Sequence, residues 1–167
     1  MTYRSRWGGT VERVALAAAL AFGAGAARAQ TTHCREGEST FFSCQLRAAV
    51  LSICGGADGA IQYRFGPLGA AKLVLPSKPA DQGVVSSGLL TFSGGGGAYV
   101  AFANSPFRYV VYTAIVRGEG DRAGVVIERS GRRIGALTCS AAPKSELGPE
   151  LFARLGLARD ASGFDLP

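Results

Sequence analysis

From about residue 39 onward, apolar and polar positions alternate with the two-residue period of half-buried strands. Short runs rich in Val, Ile, Phe, Tyr and Leu are separated by Gly, Pro, Asn, Asp and Ser. The pattern predicts strands at 39–45, 49–54, 60–65, 71–75, 84–92, 98–103, 107–117, 124–128 and 133–139. The breaks read as turns. Asp58-Gly59 tolerates positive φ, Gly66-Pro67-Leu68-Gly69 has a proline that pre-sets φ, and Gly118-Glu119-Gly120-Asp121 and Ser130-Gly131 close the last two hairpins. Regular spacing predicts an all-β antiparallel meander, closed as a small barrel or folded as a sandwich. In the run 107–117, Phe107, Tyr109, Val111, Thr113 and Ile115 share one face, and Arg108, Val110, Tyr112, Ala114 and Val116 the other. Both faces are largely apolar, so this strand is expected to be central and covered on both sides along part of its length.

The period changes near the end of the chain. Leu147, Leu151, Phe152 and Leu155 recur at helical spacing, and Pro149 suits a first helical turn, which predicts one short amphipathic helix over 149–157. It either docks on the sheets or lies free. Residues 160–167 are expected to fray. No internal repeat is present, and 94–97 is the one low-complexity tract.

The start of the chain is of a different kind. Residues 14–27 are apolar, follow Arg4, Arg6 and Arg13, and precede the small-x-small triplet Ala27-Arg28-Ala29, the layout of a cleaved export signal. The run is too short and too rich in Ala and Gly to predict a membrane span. We therefore expect a signal peptide at 1–29, a β domain at 30–142 and a C-terminal helical tail at 143–167, in a periplasmic or secreted protein. Charge follows from this division. The chain carries +6 overall. Removing the leader takes four basic residues and one acidic residue with it, leaving +3 with the charges scattered. Nucleic-acid binding wants a basic stripe interleaved with stacking aromatics, and none is expected.

In an oxidising compartment the four cysteines are expected to pair. Four allow three connectivities. If 39–45 and 49–54 form a hairpin about 46–49, Cys44 opposes Leu51 and Cys54 opposes Phe41, so the two sulfurs face opposite sides and a bond between them is disfavoured. We expect Cys34–Cys54 with Cys44–Cys139, which ties the first strand to the last; the alternative is Cys34–Cys139 with Cys44–Cys54. The ten-residue spacings do not suit zinc. The one histidine, His33, lies at a start expected to be frayed, which does not suit a Cys–His pair. No metal or cofactor is expected.

Signals for catalysis are poor. There is no Gly-x-Ser-x-Gly elbow, and the glycines at 94–97 lack the Lys-Ser/Thr of a phosphate loop. Glu36 with Glu38 reads as surface and Glu128-Arg129 as a hairpin end, so an enzyme is not expected. The segment Ser93-Gly94-Gly95-Gly96-Gly97-Ala98-Tyr99 reads either as a loose hairpin loop or as a protruding loop whose bare backbone approaches a partner.

At this segment the chain resembles the periplasmic inhibitors of c-type lysozyme, small exported β-barrels with a Ser-Gly-x-Gly-x-x-Tyr loop. Ser93, Gly94, Gly96 and Tyr99 fall at that spacing. Phe42-Ser43-Cys44, Leu75-Pro76 and the run 134–139 fall in similar surroundings, so that the likeness spans roughly residues 41–139. The region 41–65 also resembles exported bacterial proteins of unassigned activity. The resemblance implies a non-catalytic binder in which Ser93 enters a lysozyme cleft and meets its carboxylates, with Arg108 about where a helping basic residue falls. Phe107-Arg108-Tyr109 replaces the family's Trp-Thr-Lys-Gly there. The partner implied is a lysozyme or another muramidase; the alternative is an envelope structural or stress protein with no enzyme target.

Overall fold

The computed structural model describes residues 1–2, 31–56, 58–76, 78 and 81–167. The expected export signal lies outside the described residues. Alternating side chains produce strands β1 (Ser39–Gln45), β2 (Val50–Gly55), β3 (Ile61–Gly66), β4 (Leu73–Leu75), β5 (Val85–Phe92), β6 (Gly95–Asn104), β7 (Phe107–Val116), β8 (Gly120–Arg129) and β9 (Arg132–Thr138). Two short strands, β10 (Lys144–Ser145) and β11 (Ala158–Arg159), flank the helix α1 (Pro149–Arg154). The helix starts at its proline, as expected, and ends earlier than the leucine spacing predicts, with Gly156 at φ +61° just beyond it.

The strands form two open sheets in the orders β10-β1-β2-β3-β4 and β11-β5-β6-β7-β8-β9. The expected barrel is therefore corrected to the sandwich alternative. Neither sheet closes, because consecutive hairpins keep β1–β4 in one layer and β5–β9 in the other. The inner faces share one core. Phe42, Leu51, Ile53, Ile61 and Tyr63 of the first sheet meet Val85, Val100, Phe102, Val111 and Val125 of the second, and Leu151 and Phe152 dock the helix on the same cluster. Burying each such large side chain stabilises the fold by roughly 1.5–3 kcal/mol.

Both disulfides are those expected, Cys34–Cys54 and Cys44–Cys139, with Cα separations of 5.2 and 5.6 Å. The register of the first hairpin explains the choice. Cys44 pairs with Leu51 as expected. Cys54 pairs with Thr40 rather than Phe41, because a bulge at Phe41 shifts the ladder. Cys44 is thus free to reach across to the segment after β9, while Cys54 faces outward toward residues 31–38.

That segment is a strap over the outer face of the first sheet. Ser52 Oγ accepts from His33 N–H at 3.0 Å, Ser43 Oγ donates to Thr31 O at 2.8 Å, and the two hydroxyls lie 3.0 Å apart. His33, expected at a frayed start, is buried. Its Nε2 donates to Val50 O and Gly66 O, both at 3.1 Å, and the disulfide at the next residue holds it there. Glu38 does not pair with Glu36. It accepts both nitrogens of the buried Arg64 guanidinium at 2.6 and 2.7 Å, a bidentate charge-assisted contact. Arg64 also donates to His33 O.

The outer face of the second sheet is covered too. Residues 160–167, expected to fray, cross it from β5 toward β9. Asp160 N–H donates to Ser87 O. Phe164 and Leu166 pack on Tyr99, Ala101, Val110, Tyr112 and Val126. The central strand β7 is consequently covered on both sides, as its two apolar faces require. Among the described residues, no helix is long and apolar enough to cross a membrane.

Candidate functional site

The glycine tract is neither a loose nor a long loop. β5 and β6 are joined by Ser93-Gly94 alone, since Gly95 pairs with Phe92 on one side and with Val116 on the other. Gly94 adopts φ +90°, which a two-residue turn needs and glycine supplies without steric cost. Gly95 and Gly97 serve close approach. A Cβ at Gly95 would meet Ile115 O and the Phe92 ring, and one at Gly97 would meet Thr113 O and Ala114. The tract is therefore a tight, paired hairpin end with Ser93 exposed at its tip.

Two apolar side chains sit behind this tip. Leu89 pairs with Ala98, and Ile115 with Gly96 and Asp121, so both point toward the side on which the other sheet packs lower down. They are nonetheless 56% and 67% exposed, so the core that buries this face lower down does not cover them here. Beside them runs a groove of about 1000 Å³ along β5, walled by Phe152 and Leu157 on one side and by Phe164 and Leu166 on the other. Its floor is a strand edge. β11 pairs with β5 only at Ser86 and Ser87. Ser87 directs its carbonyl outward to Asp160, and alternation along the strand directs the main chain of Leu89 and Thr91 the same way. Among the described residues, no segment pairs with that part of the edge.

The remaining candidates lie elsewhere. Tyr99 is buried on the outer face, and its hydroxyl donates to Asp160 Oδ2 at 3.0 Å. Burial, reinforced by the Asp160 carboxylate, pushes the phenol up to about 12. Arg108 pairs with Ala103 and Glu128 at the far end of β7. Eight residues of strand separate its level from that of Gly95, about 26 Å at ~3.3 Å per residue. Its guanidinium is engaged, donating to Glu128 Oε2 and Asp160 Oδ2, each at 2.7 Å, and to Gly163 O at 3.1 Å. The structure thus keeps Ser93, Gly94 and Gly96 together at one end and does not bring Arg108 to them. Tyr99 lies between, turned to the tail.

Sequence reading missed Asp160, the residue that gathers Ser86, Tyr99 and Arg108 around one carboxylate. A lone Asp in a glycine-containing tail carries no local signal of this. The apolar outward face of 107–117 was the one clue, since it needed a cover. Among the described residues, no group of three or more His, Cys, Asp or Glu could hold a metal ion. Compared with known proteins, the chain matches no family model, no curated protein and no solved structure.

Proposed function

We propose that this is a non-catalytic binding protein of the periplasm, acting on a cell-wall-cleaving enzyme of the lysozyme type. The observation that supports it is the hairpin end: an exposed Ser93 on a two-residue turn, backed by exposed Leu89 and Ile115. A rigid tip loses little entropy when it enters a cleft. There its hydroxyl can donate to a catalytic carboxylate, a charge-assisted bond of the stronger kind, while the two apolar side chains seal the rim. The reading rests on Ser93 and not on Arg108, which is committed to two carboxylates of its own chain. Two disulfides suit the oxidising compartment it assumes.

The test is turnover of cell-wall substrate by several lysozyme types, with the purified protein added up to about 10 µM, where even a modest specific complex forms. Inhibition by the native protein that Ser93→Arg abolishes is the expected result. Absence of inhibition across all types overturns the proposal. A muramidase recovered by pull-down supports it; an envelope scaffold recovered instead favours a structural role.

A further inference from the structure

The cover on the second sheet is held in the manner of a bound peptide. Residues 160–167 run across β5, β6, β7 and β8 to β9, and most of their polar ties come from side chains of the sheet. Arg108 donates to Gly163 O at 3.1 Å, Arg133 to Asp165 O at 3.2 Å, and Arg122 to Pro167 O at 2.7 Å. Such bonds to main-chain oxygens are indifferent to the sequence they hold. Three tail side chains supply selectivity. Asp160, 5% exposed, accepts from Ser86, Tyr99 and Arg108. Phe164 lies between Tyr99 and Tyr112, with ring centroids 5.2 and 5.5 Å away. Leu166 packs on the same apolar cluster. A rim of guanidiniums around a floor of tyrosine and valine is a built receptor for an extended segment with one carboxylate, an aromatic ring four residues on and an aliphatic side chain two further on.

We propose that this outer face is a peptide-recognition surface whose resident ligand is the chain's own tail. An extended segment of a partner protein with the spacing Asp-x-x-x-Phe-x-Leu takes the tail's place. No covalent bond fixes residues 160–167, as both disulfides lie elsewhere, and the glycine at 163, with φ +70°, lies between the two anchors. The tail then acts as a tethered competitor. At an effective concentration of about 1 mM, against its own Kd of about 1 µM, it weakens the apparent affinity for a competing segment about 1000-fold. This surface is separate from the Ser93 tip, so either reading can fail alone.

The experiment uses the full chain carrying Asp160→Ala with Phe164→Ala, which loosens the tail without touching the sheet. A fluorescein-labelled decapeptide with the sequence of residues 158–167 is the probe, read by anisotropy. The expected result is saturable binding about 1000-fold tighter than to the native chain. Replacing the peptide's Phe by Ala, or its Asp by Asn, should weaken binding about tenfold or more, and Arg108→Met in the loosened chain should remove the preference for Asp over Asn. A loosened chain that keeps its disulfides and its β circular dichroism yet binds no peptide overturns the proposal, as does equal binding of the native and Ala-substituted peptides. If the double variant does not fold, Phe164→Ala alone carries the same test with the same outcomes, because that ring makes no hydrogen bond.

Discussion

The contact between Arg108 and Asp160 sets how firmly the tail is held, and its strength can be worked out from its surroundings. The two side chains are 16% and 5% exposed and lie 2.7 Å apart. A charge-assisted hydrogen bond at such a site contributes about 1.5–3 kcal/mol. Removing the cation leaves a nearly buried carboxylate supported only by two hydroxyls, so Arg108→Met should cost about 3–4 kcal/mol. Asp160→Asn should cost less, about 2 kcal/mol, because the amide oxygen can still accept from Tyr99 and Arg108, which share Oδ2, while the amide nitrogen turns to the Ser86 hydroxyl and Arg108 keeps Glu128. The double variant should cost less than the sum, giving a coupling of about 2 kcal/mol. Hydrogen exchange of the 158–167 amides measures this directly. Urea unfolding registers it only up to the point where the tail opens on its own. A control is built in. Arg122 and Glu119, 3.3 Å apart but 32% and 61% exposed, should couple by under about 0.5 kcal/mol. A coupling for Arg108 and Asp160 as small as that of the control would refute the reasoning.

The disulfides should differ in worth. On chain entropy, Cys44–Cys139, with a sequence separation of 95, contributes about 4.7 kcal/mol, and Cys34–Cys54, separated by 20, about 3.3 kcal/mol; paired Cys→Ser variants compared by urea unfolding should show that order. Glu38 is held below its ordinary value, chiefly by its hydrogen bonds to Arg64, so the stability it contributes is present above the unfolded value of 4.5 and is lost as pH falls through the lowered one. Glu38→Gln should therefore flatten the fall of the urea midpoint below about pH 5. Tyr99 is raised from 10.0 to about 12, so its contribution is complete below pH 10.0 and is lost as pH rises toward about 12. An ultraviolet absorbance titration of the native chain should show a late ionisation that Tyr99→Phe removes.

Much of the fold was legible because period-two patterning is local. The nine longer strands fall close to where alternation puts them, and Ser130-Gly131 forms the positive-φ turn its composition predicts, at +49° and +76°. Three things were not legible. The bulge at Phe41 depends on cross-strand packing, which no local pattern encodes, so Cys54 landed one residue away from its expected partner. Glycine is poor in strands, so the pattern starts this strand at Ala98, whereas β6 begins at Gly95. At Gly95 and Gly97, however, glycine is required by the neighbouring strand's carbonyls, and tertiary contact overrode propensity. The tail has no period and therefore predicts fraying; its residues follow a ridge of tyrosines and arginines contributed by four different strands. The site suffered in the same way. Ser93 is picked out by a local motif and sits at an exposed turn, whereas Arg108, which the resemblance puts about where a helping basic residue falls, lies at the other end of β7.

Each sheet has its outer face covered by an aperiodic segment, and the two covers are held by different chemistry. Residues 31–38 lie over Ser43, Ser52 and Arg64, a polar face, and are fixed by a disulfide as well as by hydrogen bonds. Once Cys34–Cys54 has formed, that cover cannot exchange with anything in solution. Residues 160–167 lie over an apolar face ringed by arginines and are held by one ion pair, hydrogen bonds and one inserted ring. Every one of those contacts is reversible. A protein that needed the second face only for stability would gain by stapling it in the same way, since the compartment that oxidises one pair of cysteines would oxidise another. The asymmetry is therefore what an exchangeable cover requires, and it separates the two faces experimentally. Cys34→Ser with Cys54→Ser, which spares Cys44–Cys139, should loosen the first cover and leave the second in place, whereas excess tail peptide should displace the second and leave the first untouched.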